Sequence, residues 1–315
     1  MTRYRRVKHW SNGWDPTAST LAALVCAATA LVACGGSTST PAASQDYGLI
    51  TPGQVTVAIS TGNMPYNGLK DGKLTGLDGE LFNKAAADLG LTVHPVEIDF
   101  TGLLAGVQSR RYDIGIGDVA WRKARADKGL FTDPPFYSPA VAAEKPGLHA
   151  STIDSLSGLN LGTQDSFFFI DGLKKIPNAH LHLYPSQQAL FADLGAGRID
   201  VAFLDPLGMV QAHKLAPNLK FDEVTFTPPS AQQLAATPQY GVFLPFMDGW
   251  YLNAQEQKFE DALNKEIRKF FSNGFEAQEV KTWGGNPGVM LKPDPSFTTD
   301  RRGTDRSADW TPPSI

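Results

Sequence analysis

Gln54-Val55-Thr56-Val57-Ala58-Ile59-Ser60 alternates apolar and polar side chains with a period of two and breaks off in a polar loop carrying Gly62, Asn63 and Pro65. That is the pattern of a short strand with a turn behind it. Working outward, residues 77–91 read as a helix, with Asp78 as the expected N-cap and Gly90 as the stop. Residues 92–98 return to a strand, Thr101 is the expected cap of a short helix bearing Leu103, Leu104 and Val107, and residues 112–116 make a third strand. Past Pro146 the plan recurs: a short helix near Ile153, a strand over 159–162, a helix after Ser166, a strand over 180–184, a helix capped by Ser186, and a strand over 199–204. Residues 239–244 read as one more strand. Residues 256–271, with Phe259, Leu263, Ile267, Phe270 and Phe271 at helical spacing, read as the helix that closes the fold. Strands alternating with helices in two parallel series predict an α/β fold.

The first 34 residues bear on location. A basic start (Arg3, Arg5, Arg6, Lys8) leads into an uncharged Ala/Leu-rich run over 21–33, the pattern of an export signal. A helix of that length rises only about 20 Å, whereas a bilayer span needs roughly 20 residues. The run ends in Leu31-Val32-Ala33-Cys34-Gly35, which resembles the bacterial lipobox, so residues 1–33 are expected to be a removable signal peptide. Cys34 then becomes the lipidated first residue, palmitate being one of its acyl chains, and the protein is anchored in the cell membrane on its extracytoplasmic side. Cys26 leaves with the signal peptide, so an internal disulfide is excluded. Removal also takes away four positive charges against Asp15 alone, moving the formal net charge from −4 to −7, and no basic nucleic-acid footprint remains. Residues 34–48 read as a flexible linker and 291–315, rich in Pro, Asp, Arg, Ser and Thr, as a poorly ordered tail.

Four stretches carry a resemblance. Gly72-Lys73-Leu74-Thr75-Gly76-Leu77-Asp78-Gly79-Glu80-Leu81 comes first, and Phe100-Thr101-Gly102-Leu103-Leu104 followed by Gln108-Ser109-Arg110-Arg111-Tyr112-Asp113 second. Arg125 with Phe131-Thr132-Asp133-Pro134 is third, and Gly197-Arg198-Ile199-Asp200-Val201-Ala202-Phe203-Leu204-Asp205 fourth. In this order and spacing they resemble the family 3 extracellular solute-binding proteins of polar amino-acid ABC importers, over roughly residues 50–290. The resemblance implies the two-lobed periplasmic-binding-protein fold of type II, with two hinge strands and a ligand cleft between the lobes. Lobe 1 would comprise 49–139 and 240–290, and lobe 2 would comprise 140–239. It further implies a monomer that hands a small solute, an amino acid or a related amine, to ABC permease subunits, without cofactor, metal or catalysis.

A zwitterionic solute needs a cation for its carboxylate and an anion for its ammonium. The family spacing puts Arg125 and Asp205 in those roles, and the planar guanidinium suits a carboxylate better than a lysine would. Asp205 followed by Pro206 also reads as a helix cap. The segment around Ser166 and Phe167 matches the place where the family presents a helix N-terminus to the ligand carboxylate. Phe100, with Tyr66 and Phe167, falls where the resemblance implies a sandwich of rings. The chain departs from the family pattern in Ala120 and Arg122, where hydroxyl residues are common, and in Asn63, where a stacking ring is common. Asp118 and Trp121 are additional features beside the expected site. Asp118 with Asp205 favours a solute with a strong cationic end.

Two other function classes remain open at this stage. One is a dehydratase-like enzyme on the same fold, with Glu80 or Asp118 as a general acid, although hydrolase, phosphate-loop and His-Glu-x-x-His motifs are lacking. His180 and His182 share one face of a strand but have no evident third ligand. The other is an accessory or sensory binding subunit, for which Asp248-Gly249-Trp250-Tyr251 reads as an exposed apolar loop able to meet a partner.

Overall fold

The computed structural model describes residues 46–165 and 167–315, so the signal segment, Cys34 and Ser166 lie outside the described residues. Among these residues no helix is long and apolar enough to cross a membrane.

Two five-stranded sheets organise the chain. The first runs Thr92–Ile98, Gln54–Ser60, Ile114–Ile116, Tyr251–Asn253, Gly129–Phe131. Its first three strands are parallel, and Tyr251–Asn253 is antiparallel to both neighbours. The second runs His180–Tyr184, Asn160–Gln164, Val201–Leu204, Val141–Glu144, Asp222–Thr225, again with three parallel strands, while Val141–Glu144 runs antiparallel to both of its neighbours. Between the two sheets the chain passes twice, as Tyr137–Ser138 and Phe246–Met247, which pair antiparallel and form the hinge. Two α/β lobes on two hinge strands result.

Each lobe has its own core. Val55, Val57, Ala58 and Ile59 are fully buried, more than strict alternation predicts, because helices cover both faces of a parallel sheet. The second lobe is filled by rings: Phe203 lies 5.5 Å from Phe169, 5.1 Å from Phe226 and 5.7 Å from Phe243, centroid to centroid. Such pairs add to the area they bury.

Several expectations change. The helix Leu77–Asp88 starts from Gly76, not from Asp78, because Gly76 has φ of +102° and a Cβ there would sit 2.4 Å from the Tyr66 carbonyl oxygen. Asp78 is instead buried inside the first turn. Asp99 caps Phe100–Gln108 by accepting from the Gly102 N–H, which leaves Thr101 within the helix. The expected strand over 239–244 is a 3₁₀ helix, Pro238–Phe243. Its apolar residues face the ring cluster, where Phe243 is fully buried, and Pro238 suits a helical first turn.

The Asp248–Tyr251 loop is not an exposed partner surface: Trp250 and Tyr251 are fully buried, the Trp250 indole donates to Asp78, and Tyr251 opens a central strand. The helix Gln257–Asn273 does not close the fold either, since Phe275–Thr282 and Pro287–Met290 follow it. Residues 291–315 lie against the first lobe rather than apart from it. Phe297 is buried on Tyr137, the Trp310 indole donates to Asp133, and the Tyr137 hydroxyl donates to the Pro313 carbonyl. Scattered apolar residues among prolines and charges hide such a segment from a composition argument.

Candidate functional site

A hollow of about 540 Å³ opens beside the hinge, lined from both lobes. Asn63, Phe100, Asp118, Ala120 and Arg125 reach it from the first lobe, and Phe167 and Asp205 from the second. Tyr66 and Trp121 are not among its lining residues, and Ser166 lies outside the described residues.

Arg125 sits in the short helix Lys123–Ala126. Its guanidinium carbon lies 4.9 Å from the centre of the Phe100 ring, and Nη1 donates to the Ala120 carbonyl at 2.8 Å. Among the described residues no carboxylate forms an ion pair with it. Burial, and after it the neighbouring Arg122, pull its pKa down to about 10 against the attraction of Asp118 and Asp248, so the group is a cation with no carboxylate in direct contact. One wall of the hollow therefore offers a stacked fork with donors to spare. Ala120, where a hydroxyl was the family expectation, serves it through its backbone carbonyl.

The carboxyls come from three directions. Asp205 caps the helix Pro206–Leu215, accepting from the Gly208 N–H at 2.6 Å, so its capping role and its place in the hollow coincide. Asp118 projects from a residue with φ of +58°, a left-handed conformation that turns it toward the lobe junction. Its pKa is pushed up to about 7, first by burial and then by the negative charges of Asp205 and Asp78, against the hydrogen bond with Asp248. Asp248, behind the hollow, accepts from Ser138 Oγ at 2.8 Å and is pushed well above the usual carboxylate range by burial and by Asp118. Asp78 accepts from the Gly117 N–H and the Trp250 indole, and burial raises it to about 6.

Tyr66 is fully buried behind this wall, stacked on Phe136 at 5.6 Å, and its hydroxyl accepts from the Leu207 N–H at 3.4 Å across the lobe junction. Its part is to tie the lobes near Asp205. Trp121 packs behind the cleft between Phe131 and Trp310, at 6.0 and 5.7 Å. Asn63 donates through Nδ2 to the Gly117 carbonyl at 3.1 Å, which steadies the loop bearing Asp118.

Reading the sequence missed Phe168, Phe246 and Ser60 in the lining, while Gln164 belongs to the segment 163–167 expected there. The run Phe167-Phe168-Phe169 signals rings at the second-lobe edge, of which one faces the core: Phe169 is buried and Phe168 stands edge-on to Phe246 at 5.4 Å. Phe246 itself carries no local signal, because the hinge strand holding it is only two residues long.

Residues 55–286 match the description "Bacterial extracellular solute-binding proteins, family 3". Among curated relatives, the L-cystine-binding protein TcyJ of Escherichia coli (strain K12) is 29% identical over 147 residues, 46% of this chain and 55% of that protein. The "Probable ABC transporter extracellular-binding protein YckB" of Bacillus subtilis (strain 168) is 30% identical over 186 residues, 56% of this chain and 64% of that protein. The chain thus spans little more than half the length of these relatives. The crystal structure of the Bacillus subtilis YckB protein superposes with a TM-score of 0.62 at 21% identity, covering 73% of this chain and 89% of that one. That likeness establishes the shared two-lobed architecture.

Proposed function

We propose, from the premise that the chain belongs to the bacterial extracellular solute-binding proteins of family 3, that it captures a small amine-bearing solute between its lobes and delivers it to an ABC importer. The solute is an amino acid or a relative with a strong cationic end. One observation carries the reading: a single hollow holds the unpaired Arg125 guanidinium on one wall and the Asp118 and Asp205 carboxyls on others. Charged groups of both signs that line one cavity without a direct ion pair are costly to hold there unless a guest brings closer complements. A zwitterion with an additional ammonium or guanidinium group supplies both. The L-cystine named for one relative and the ABC transporter named for the other support the solute class and the recipient.

In this reading the lobes close about the hinge pair, and the boundary expected at 239/240 moves to that pair, because Tyr240 and Phe243 pack in the second-lobe core. The protein acts as a monomer, held to the extracytoplasmic face of the cell membrane by lipid on Cys34, where it meets permease subunits. No cofactor enters.

A thermal-shift screen of amino acids, polyamines and small organic acids tests the proposal, since a ligand at 100 times its dissociation constant stabilises by about 2.7 kcal/mol. Basic amino acids are expected to shift the transition, and Arg125→Ala and Asp205→Ala to abolish the shift. Tight binding of acidic compounds with none of basic or neutral ones, by isothermal titration, would overturn it.

A further inference from the structure

Behind the hollow, Asp248 is almost completely buried, and its two oxygens fare differently. Oδ2 accepts from Ser138 Oγ at 2.8 Å, whereas Oδ1 has no donor. The same Ser138 Oγ is 3.5 Å from Asp118 Oδ1, so one hydroxyl stands between the two carboxyls and brings them together. Two ionised carboxylates have no donor to offer each other. One proton between them supplies it and removes a like-charge contact in a poorly hydrated place.

The titratable groups packed closest to the pair are acidic. Asp118 also faces Asp205 on the second-lobe helix and Asp78 on the helix Leu77–Asp88. Asp248 faces Asp118 and Asp78, and the charges of Asp205, Asp118 and Asp248 all act on the Tyr66 phenol. Arg122 and Arg125 also line the hollow; Arg125 attracts Asp118 and Asp248 but forms an ion pair with neither, its Nη1 donating to the Ala120 carbonyl. Asp118 lines the hollow, Asp248 lies next to the hinge strand Phe246–Met247, and Ser138 belongs to the other hinge strand. The pair thus joins the solute's wall to the element about which the lobes close.

We propose that Asp118 and Asp248 share one proton in the solute-free protein and that a cationic group of the solute, drawn up to Asp118, displaces that proton to bulk water. Binding then releases a proton and strengthens as pH rises, and Asp248 selects for cationic guests without touching them. This rests on the cationic-solute reading given above.

The experiment has two arms that fail separately. In the first, ¹³Cγ shifts of Asp118 and Asp248 are followed from pH 4 to 9 in the solute-free protein with labelled aspartate. One of the two carbons is expected to remain in its protonated position at pH 7.5; ionisation of both below about pH 5 overturns the shared proton. In the second, L-arginine, L-lysine and putrescine are titrated calorimetrically at pH 7.5 in buffers of different ionisation enthalpy. The protein is expected to release up to one proton per bound cation, with affinity rising by as much as about tenfold per pH unit between pH 6 and 8. Asp248→Asn, whose amide replaces the shared proton with a fixed donor, is expected to release none at pH 7.5. Binding without proton release in the unsubstituted protein overturns the displacement step. If none of the three cations binds, the cationic-solute reading and the displacement fall together, while the carbon titration still decides the shared proton.

Discussion

The Arg125 guanidinium carbon stands 4.9 Å from the centre of the Phe100 ring, so the ring fixes the plane of the fork that faces the hollow. A lysine there keeps the charge and loses both the plane and the second parallel donor. Arg125→Lys is therefore expected to weaken a basic amino acid by about 10- to 100-fold, the range for one charge-assisted hydrogen bond. Putrescine, which has no carboxylate to present, is expected to change by less than about threefold. Titration calorimetry of both compounds checks this, and an equal loss for the two would mean that Arg125 does not hold a carboxylate.

Glu256 gives a prediction about stability alone. Both of its oxygens are buried without a hydrogen-bond donor, and Arg110 Nε approaches only to 3.7 Å. Burial, then the charge of Asp113, raise its pKa from 4.5 to about 8. The native state therefore keeps a proton that the unfolded chain has lost across this window, so its stability falls as pH rises from about 4.5 to about 8 and levels off above. Glu256→Gln removes that loss. Urea unfolding at pH 8.5 is expected to show the variant more stable by about 2 kcal/mol, with little difference at pH 5. A constant offset at both pH values would mean that Glu256 is not titrating there.

The same comparison shows how far the sequence could be read. Strands with β-branched alternation, such as Gln54–Ser60 and Thr92–Ile98, are legible because parallel pairing of long strands imposes a pattern on each. Arg125, Asp205 and Phe100, which line the hollow, are legible through the family resemblance. Asp248 and Trp250 are not, because their burial follows from long-range partners, Ser138 and Asp78, more than a hundred residues away in the chain. A two-residue hinge strand has no period to detect. Tyr66 and Trp121 have the right chemistry for a ligand wall, yet both are claimed by neighbours in three dimensions, Phe136 and Trp310.

The C-terminal segment gives a third test. Arg306 donates through Nη1 to Glu260 and through Nη2 to the Phe131 carbonyl, each at 2.5 Å, and lies 5.1 Å from the Trp121 ring and 5.9 Å from that of Trp310. Glu260 is itself buried, so losing its cation leaves a buried charge supported only by Gln257 and Asn264. Arg306→Ala is expected to cost about 3 kcal/mol in urea unfolding. Removing residues 300–315 is expected to expose the Trp121 face and shift tryptophan emission to the red. A change in stability below about 0.5 kcal/mol for Arg306→Ala would show that the segment does not hold to the first lobe in solution.

Tyr66 tests the closure itself. It belongs to the first lobe, yet its hydroxyl meets the Leu207 N–H at 3.4 Å and lies beside the Asp205 carboxyl, both at the start of a second-lobe helix. The phenol is fully buried, and its own pKa is raised well above 10, by burial first and then by Asp205, so it remains a donor at every working pH. Tyr66→Phe keeps the stacking on Phe136 and deletes only this bridge. The lobes should then open more readily: with one buried hydrogen bond worth about 1 kcal/mol net, solute affinity is expected to fall about fivefold, mainly through faster release. Melting of the solute-free protein should change little, since each lobe keeps its own core. Stopped-flow release and small-angle scattering of the solute-free variant check the two halves of the claim. A slower association rate with unchanged release would place Tyr66 in solute entry instead of in the closed state.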